Sequence, residues 1–461
     1  MNESQIDFCD KNNSYDCRRG TRLDMKIAVI GLGFVGLTLS SVLASKGITT
    51  VGIDLDKEKC SKIANGTPTF FEPNLKKILK KALKKNLLIT DKLSSINNCD
   101  FIFITVGTPQ KKNGEIDLSF IKTVVRSVGK IISKTKKKPI ILIKSTVIPG
   151  TMKDVILPIL EKNSKKKAGK DFGLISNPEF LQESNAIRDT IKPHVIVLGG
   201  YRTKFMKKTE KFFSRFNPNV TIIITNHQTA EMIKYANNSF LATKISFINQ
   251  IASICQAIPD TNIDDIAATI GLDPRIGNLF LNAGPGYGGS CLPKDMNAII
   301  NLSSKIGVKP TLLNAVERTN KLQISNIMAL IKHNIRKIKG KKIAVLGVAF
   351  KPDTDDIRDS MGIELTRQLM KLGANVTIHD PRALDNARKI FHNNAKYTTT
   401  ISSALKNCQC AIIMTQWKEY EKIDNKTIKY MNKKFIIDSR RILSNKNLDA
   451  KYYAIGLGQK I

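Results

Sequence analysis

The chain has 461 residues, of which 42% are hydrophobic and 25% charged, and this composition excludes a mainly disordered or collagen-like protein. Its length allows two or three domains with separate cores. A formal charge of +35 favours anionic partners, but the lysines are scattered and no zinc-finger, RNA-recognition or basic-zipper motif accompanies them, so we interpret them as solvated helix faces.

Residues 1–24 are polar and lack an apolar signal core. We expect them to form a disordered extension or to precede the true start at Met25. No run of eighteen or more apolar residues occurs, so no membrane-spanning segment is predicted. The eight cysteines are sparse and mostly lie in apolar segments, which is typical of reduced thiols in a cytoplasmic protein. Cys408 and Cys410 lack further ligands at zinc-site spacing, so no metal site is predicted.

From Met25 the sequence predicts a strand, a glycine turn, a helix and a second strand that ends in an acid. Further apolar runs follow at Phe101–Pro109, Ile140–Thr151 and His194–Gly200. Strands that alternate with helical patterns indicate a parallel sheet with helices on both faces. We therefore predict a dinucleotide-binding domain of the Rossmann type over residues 25–201.

The first glycine turn carries the spacing of a dinucleotide site. Gly31 would make the tight turn, Gly33 would admit a pyrophosphate and Gly36 would let the helix pack closely on the strand. Asp54, twenty-one residues after Gly33, would accept hydrogen bonds from the adenosine ribose. Because a 2′-phosphate would meet this like charge, the turn predicts NAD rather than NADP. The alternative is a packing turn in an unrelated α/β domain.

Residues 202–330 are predicted to form a central helical region. The stretch TAEMIKYANNSFLATKISFINQIASICQAI holds apolar residues at helical spacing without glycine or proline, which indicates one long helix. A further helix is predicted near Ala315–Lys332. Residues 331–461 then resume the strand–helix alternation. The predicted fold class is thus α/β, with two Rossmann-like doubly wound domains joined by a long central helix.

The second α/β unit lacks the glycine fingerprint and has Gly347-Val-Ala-Phe-Lys351 in its place. A dinucleotide cannot approach such a turn in the same way. Lys351, Arg358 and Arg440 instead suggest a domain that binds phosphate or uridine-like groups, although each one alone is as consistent with ordinary surface charge.

Cys291 lies in the glycine-rich loop GPGYGGSCLPKD, directly before Lys294 and Asp295. Such a loop lets a substrate approach closely, and nearby cations or helix amides would stabilise a nucleophilic thiolate. From the residues alone, a free buried cysteine remains the alternative.

Five blocks carry a family resemblance: GLGFVG, KSTVIPGT, NPEFLQES, GPGYGGSCLPKD and FKPDTDDIRDS. Across most of residues 25–456 the chain resembles the UDP-glucose and GDP-mannose dehydrogenase family. The resemblance implies NAD as cofactor, a nucleotide-sugar substrate, a four-electron oxidation and a catalytic cysteine.

The resemblance also assigns roles to particular residues. It implies that Cys291 is the nucleophile and that Asp295 helps to activate or hold water. Lys234 and Asn238, one helical turn apart, match the pair that stabilises an oxyanion. The remaining catalytic residues that it implies are two proton-transferring carboxylates and a threonine near the nicotinamide, namely Glu179, Glu183 and Thr146.

Binding residues follow from the same blocks. Those implied for the cofactor are Gly31, Gly33, Phe34, Val35, Gly36, Asp54, Thr108 and Lys294. Those implied for the nucleotide sugar are Phe180, Leu181, Lys234, Arg275, Tyr287, Gly288, Lys351, Arg358 and Arg440. Arg275 is similar to an arginine that reaches the substrate of a neighbouring subunit, so a homodimer is predicted.

Two departures from the family pattern occur: Gln182-Glu183-Ser184 replaces Arg-Glu-Gly, and Gln250 stands where a glutamate is common. Ser290 before Cys291 argues against the branch that acts on N-acetylated sugars, which usually has histidine there. UDP-glucose is the first choice of substrate and GDP-mannose the second. Two other hypotheses are a nucleic-acid-binding protein on a Rossmann scaffold and a two-electron dehydrogenase of the hydroxyacid type, which needs no cysteine.

Overall fold

The computed structural model describes residues 25–111 and 113–458, so the predicted extension of residues 1–24 lies outside the described residues. The described chain forms two sheets, each covered by helices, and a long helix joins them. This arrangement confirms the predicted fold class. Within the described ranges, no helix has the length and apolar composition needed to cross a bilayer.

The first sheet is built from parallel strands with one antiparallel junction. Its strands are β1 (Lys26–Ile30), β2 (Thr49–Ile53), β3 (Leu87–Thr90), β4 (Phe101–Ile104), β5 (Ile140–Ile143), β6 (Gly173–Ser176), β7 (Ile196–Gly200) and β8 (Ile222–Thr225). They lie in the order β3-β2-β1-β4-β5-β6-β7-β8, and β6 and β7 form the antiparallel pair.

The sheet continues past residue 201, where the first domain was predicted to end, because β8 pairs with β7. The strand β8 was not predicted from the sequence. Its four residues form an edge strand without the clear alternation of buried and exposed positions that would mark it.

Helices cover both faces of this sheet. They are α1 (Phe34–Ser45), α2 (Lys57–Ala64), α3 (Leu75–Leu83), α4 (Ser119–Ser133), α5 (Leu157–Ser164), α6 (Ala186–Ile191) and α7 (Lys204–Phe216), with a π-helical turn at Met152–Ile156. Alternate residues of β4 point to opposite faces: Phe101 packs on Phe212 of α7, whereas Ile102 joins the cluster under α4 and α5.

The lysine runs lie on a solvated face in α3, as predicted. Leu75, Ile78 and Leu79 point into the core, while Lys76 and Lys80 are exposed. The composition of this helix is therefore explained by one buried stripe and one solvated face.

The central region is dominated by α8 (His227–Ala257), which spans 31 residues and thus roughly 46 Å. Asn226 caps it by accepting a hydrogen bond from Thr229 N. The helix confirms the single long helix predicted from the apolar spacing. The other helices of this region are α9 (Ile263–Gly271), α10 (Leu292–Lys305) and α11 (Thr311–Asn334).

The second sheet is parallel throughout. Its strands are β9 (Lys342–Leu346), β10 (Asn375–His379), β11 (Lys396–Thr398), β12 (Cys410–Ile413), β13 (Phe435–Asp438) and β14 (Lys451–Ala454), in the order β11-β10-β9-β12-β13-β14. Its helices are α12 (Met361–Lys371), α13 (Leu384–Phe391), α14 (Ile401–Leu405) and α15 (Asn425–Ile428).

The backbone amides of the turn after β9 are hydrogen-bonded to a side chain of the protein itself. The Asp380 carboxylate, just after β10, accepts hydrogen bonds from Val348 N at 2.7 Å, Ala349 N at 2.9 Å and the Trp417 indole at 3.3 Å. In the first domain the Asp54 carboxylate accepts from Leu32 N of the equivalent turn, at 2.8 Å, and the space beside Gly33 is open. The second turn thus gives two of its amides to a buried carboxylate, one more than the first turn does.

Candidate active site

The glycine turn after β1 is shaped for a pyrophosphate. Gly31 has φ +96°, and a Cβ on Gly36 would lie 1.9 Å from the Gly31 carbonyl oxygen. A Cβ added at Gly33 would have no atom within 4 Å. The helix α1 begins at the next residue without a side-chain cap. The free amides of Phe34 and Val35 therefore face open space, so the residues fit a dinucleotide phosphate.

Asp54 directly follows β2 and faces the same turn. Its carboxylate accepts hydrogen bonds from Leu32 N at 2.8 Å and Lys59 Nζ at 2.7 Å. Burial by itself would raise the pKa of Asp54, but the hydrogen bonds from Lys59, Leu32 and Asp56 outweigh it and lower the pKa. Asp54 is thus anionic at neutral pH, and Lys59, which sequence reasoning missed, offsets part of its charge.

Asp54→Asn is expected to weaken discrimination against NADP about tenfold, or ~1.4 kcal/mol, because a charge that would repel the 2′-phosphate is removed while Lys59 remains. The ratio of kcat/KM for NAD and NADP measures this change. Asp56→Asn is the matched control because asparagine can still cap α2, and it should leave the ratio unaltered. An unchanged ratio in Asp54→Asn would mean that Asp54 does not face the ribose.

Cys291 immediately precedes α10 and keeps an exposed face, whereas the other described cysteines are buried. Withdrawal of the thiol from bulk water raises its pKa. The carboxylates of Glu179 and Asp295 raise this pKa further, while Lys234 lowers it. The thiol is therefore protonated in the resting protein near neutral pH, and a nucleophilic role requires a base.

Asp295 lies one turn into α10 and is 1% exposed. It accepts a hydrogen bond from Asn238 Nδ2 at 2.6 Å, and Lys294 Nζ lies 2.5 Å from its other oxygen. Both oxygens are therefore engaged, and the contact with Asn238 joins α10 to α8.

Lys234, one turn before Asn238 on α8, forms a buried ion pair with Glu179 at 3.2 Å. Its ammonium also lies 5.3 Å from the centre of the Phe180 ring. Burial alone would lower the pKa of Lys234, but Glu179, Cys291 and Asp295 together outweigh it and raise the pKa. Lys234 therefore provides a buried positive charge beside the thiol, as a group that stabilises an oxyanion must.

Glu183 follows on the same loop as Glu179 and contacts both halves of the molecule. Its Oε1 accepts a hydrogen bond from Ser290 Oγ and its Oε2 one from Thr354 Oγ1, both at 3.1 Å. Burial, reinforced by the charge of Asp356, raises the pKa of Glu183 to about 7 against the opposing effect of Arg358. Glu183 is therefore poised to gain or lose a proton near neutral pH.

The predicted substrate-binding residues of the second unit reach this region. Lys351 Nζ donates to the Glu183 carbonyl, and Arg358 pairs with Asp356 at 2.6 Å and approaches Glu183 at 3.6 Å. Arg440 donates to the Met414 carbonyl and lines a cavity of about 290 Å³ with Phe280. Burial, with the charge of Arg441 adding to it, lowers the pKa of Arg440 to about 10.

Three successive segments of the chain match the domains of one known protein family. Residues 25–217 match the NAD binding domain of the UDP-glucose/GDP-mannose dehydrogenase family, residues 228–322 its central domain and residues 344–445 its UDP binding domain. The chain belongs to this family. Its cofactor is NAD, and it is an NAD-dependent dehydrogenase, as predicted.

Individual relatives agree with the family assignment. UDP-glucose 6-dehydrogenase TuaD of Bacillus subtilis is 38% identical over 437 residues, which cover 94% of this chain and 93% of that protein. A UDP-glucose dehydrogenase structure from Pyrobaculum islandicum superposes with a TM-score of 0.88 at 30% identity, covering 94% and 98% of the two chains. A GDP-mannose dehydrogenase structure from Pseudomonas aeruginosa gives 0.54 at 30% identity, covering 94% and 100%.

Other residues assigned by the family pattern fall into two groups. Thr108 Oγ1 donates to the Thr146 carbonyl at 2.8 Å, so these two lie together at the carboxyl edge of the first sheet. Leu181 N donates to Glu179 at 2.6 Å, and a Cβ on Gly288 would lie 2.2 Å from the Asp359 carbonyl. Arg275 stands apart: it is exposed and pairs with Asp273 at 2.6 Å.

Two asparagines that sequence reasoning missed hold the cysteine loop. Asn249 Oδ1 accepts from Gly284 N at 2.7 Å, and Asn320 pairs with both the amide and the carbonyl of Tyr287, at 2.8 and 3.0 Å. A Cβ on Gly286 would lie 2.6 Å from Asn320 Oδ1, so the close approach needs glycine. The role of Asn249 could have been predicted from its position, because it lies eleven residues, about three turns, after Asn238 and therefore on the same face of the helix.

Proposed function

We propose that this enzyme oxidises the C6 hydroxymethyl group of UDP-glucose to a carboxylate in two hydride transfers, through a covalent intermediate on Cys291. The observation that carries the proposal is the Cys291 thiol, whose pKa responds to the charges of the buried Lys234–Glu179 pair. A thiol next to an oxyanion-stabilising ammonium serves to hold an aldehyde. A two-electron dehydrogenase of the hydroxyacid type would need no such thiol.

Bound NAD supplies the hydride acceptor. After the first oxidation, Cys291 adds to the aldehyde carbon and Lys234 stabilises the negative oxygen. Loss of the second hydride leaves a thioester on Cys291. Water then attacks the thioester with help from Glu179 or Glu183, Asp295 orients or holds that water, and the C–S bond breaks. Overall one sugar, one water and two NAD yield a carboxylate, two NADH and three protons.

UDP-glucose is favoured over GDP-mannose for three reasons. The chain matches a UDP binding domain, its relatives at 36–38% identity are named UDP-glucose 6-dehydrogenases, and the TM-score is 0.88 for the UDP-glucose dehydrogenase structure against 0.54 for the GDP-mannose one. Lys351, Arg358 and Arg440 are proposed to bind the nucleotide of the sugar. We also propose that the enzyme acts in the cytoplasm, where its described thiols stay reduced.

The proposal is tested by following NADH formation with UDP-glucose and, separately, with GDP-mannose. We expect turnover with UDP-glucose and two NADH for each sugar consumed. Preference for GDP-mannose would support the second choice of substrate, and one NADH per sugar would refute the four-electron reaction. DNA binding with a steep salt dependence and no turnover would instead support the nucleic-acid hypothesis that the charge of +35 raises.

A homodimer is also proposed, with the outer face of α8 as its contact. Phe240, Phe247 and Ile254 are 65%, 51% and 48% exposed and follow one another at intervals of seven residues, which places them on one helix face. Leu272 and Leu279 add exposures of 82% and 72% in the following loop region. Large exposed apolar side chains on one surface are typical of a protein interface, and a second copy supplies the same stripe.

Phe247→Asp is expected to convert the dimer to a monomer, because a carboxylate would be buried at the centre of the stripe. Sedimentation velocity at micromolar concentration measures this, with wild type at twice the mass of one chain. Phe120→Asp is the control, since Phe120 is 58% exposed on α4 and lies outside the stripe. A wild-type chain that is monomeric and active would contradict the dimer and the proposed role of Arg275.

A further inference from the structure

Ser290 lies between the thiol and a carboxylate. Its hydroxyl donates to Glu183 Oε1 at 3.1 Å and lies 3.5 Å from Cys291 Sγ, where either atom can be the donor. The three groups therefore form a continuous path of hydrogen-bonding contacts from sulfur to hydroxyl to carboxylate. A serine hydroxyl can donate one proton while it accepts another, as a relay requires.

The other two carboxylates near Cys291 are each held in an ion pair by an ammonium. Glu179 pairs with Lys234, and Asp295 pairs with Lys294. The contacts that hold the Glu183 oxygens are instead two neutral hydroxyls at 3.1 Å, with Arg358 farther away at 3.6 Å.

Charged groups face both ends of this path, at Glu183 and at the Cys291 thiol. Glu183 is faced by Asp356 and Arg358, and Lys351 contacts its backbone carbonyl. Burial raises the pKa of Glu183 to about 7, so the carboxylate can accept a proton near neutral pH. The thiol is faced by Glu179, Lys234 and Asp295, and its pKa is raised, so it has a proton to give.

We propose that Ser290 is a catalytic residue that relays the Cys291 proton to Glu183 as the sulfur adds to the aldehyde. The inference rests on the proposed function, because it takes Cys291 as the nucleophile. The C–S bond forms as the S–H bond breaks, Ser290 Oγ accepts that proton, and the serine proton passes to Glu183. The carbonyl oxygen becomes an alkoxide beside Lys234. Because Glu183 then holds this proton, Glu179 is the carboxylate that assists the water in hydrolysis. When the C–S bond breaks, the proton on Glu183 returns along the same path to the thiolate.

Ser290→Ala is expected to slow oxidation of the nucleotide-sugar 6-aldehyde at least tenfold near pH 7, less than the ~10²–10⁴-fold of a complete general base because water can partly replace the hydroxyl. The KM for NAD should not change. The rate should recover as the pH rises and on addition of imidazole, since hydroxide or imidazole can then accept the proton of the Cys291 thiol. Ser290→Thr keeps the hydroxyl and should be faster than Ser290→Ala.

Ser304→Ala, on the exposed side of α10, is the matched control and should keep the wild-type rate. The double variant Ser290→Ala/Glu183→Gln should be no slower than Glu183→Gln, because both changes interrupt one path. An alanine variant with the wild-type rate, or one equally slow at every pH and unaffected by imidazole, would overturn the relay.

Alkylation of Cys291 by iodoacetamide, followed against pH, needs no sugar and separates the relay from the proposed function. In Ser290→Ala the midpoint of the pH profile of alkylation should move to higher pH, because the thiolate loses the hydroxyl that can donate to it. An unshifted midpoint would refute the coupling of Ser290 to the thiol. A shifted midpoint in a wild-type enzyme that forms no NADH from either sugar would support the coupling and refute the proposed substrate.

Discussion

Cys291→Ser is expected to lower steady-state NADH formation from UDP-glucose by several orders of magnitude while NAD and sugar binding persist. A serine hydroxyl is hardly ionised near neutral pH and is a much weaker nucleophile than a thiol, even a thiol of raised pKa. The variant should also stop near the aldehyde or pass through a far slower ester. In wild type, rapid mixing with sugar and excess NAD, followed by an acid quench, should show protein-bound sugar at Cys291 by mass spectrometry.

Cys99→Ser provides the matched control, since Cys99 is buried near the amino end of β4 and away from the thiol site. It should retain near wild-type turnover. If Cys291→Ser itself retained two NADH per sugar at near wild-type rate, the loop cysteine would be a packing residue and the covalent mechanism would be wrong.

Lys234→Met is expected to lower kcat by about 10²–10³-fold, the usual effect of losing one oxyanion-stabilising donor. It also removes the cation that lowers the pKa of Cys291, so the alkylation midpoint of the thiol should move to higher pH. Glu179→Gln removes a charge that raises this pKa and should move the midpoint to lower pH. Opposite shifts of the midpoint in the two variants test the electrostatics of the site without a sugar.

Stability must be separated from catalysis in this experiment. Lys234→Met leaves Glu179 buried without its partner, which is expected to cost about 3–5 kcal/mol of unfolding free energy. The double variant Lys234→Met/Glu179→Gln removes both charges and should recover most of this stability but none of the activity. Recovery of activity together with stability would show that Lys234 acts only through folding.

Much of the fold was predictable because the signals are local. The open glycine turn at Gly31, the acid at Asp54 and the uninterrupted apolar spacing of α8 all depend on neighbouring residues in sequence. The edge strand β8 was not predicted, since three isoleucines and a threonine carry no clear period.

The candidate site was predictable as a set of residues, mainly through the family resemblance, but not as a set of contacts. The sequence around Glu183 shows a carboxylate, whereas its raised pKa arises from burial against a loop 171 residues away that carries Thr354. Asn320 likewise acts on Tyr287 from 33 residues away. Ser184, where the family usually has glycine, adopts φ +72° and donates its hydroxyl to the Pro352 carbonyl, a contact that no local pattern could indicate.

The carboxylate of Asp380, which fills the turn of the second unit, has a consequence for the order of events in catalysis. Among the described residues, the open glycine turn of the first domain is the one built for NAD, although the proposed reaction removes two hydrides from each sugar. The same site must therefore be emptied and refilled between the two oxidations, while the half-oxidised sugar stays in place. The C–S bond to Cys291, together with binding of the nucleotide by the second unit, would then keep the reactive aldehyde on the enzyme during cofactor exchange.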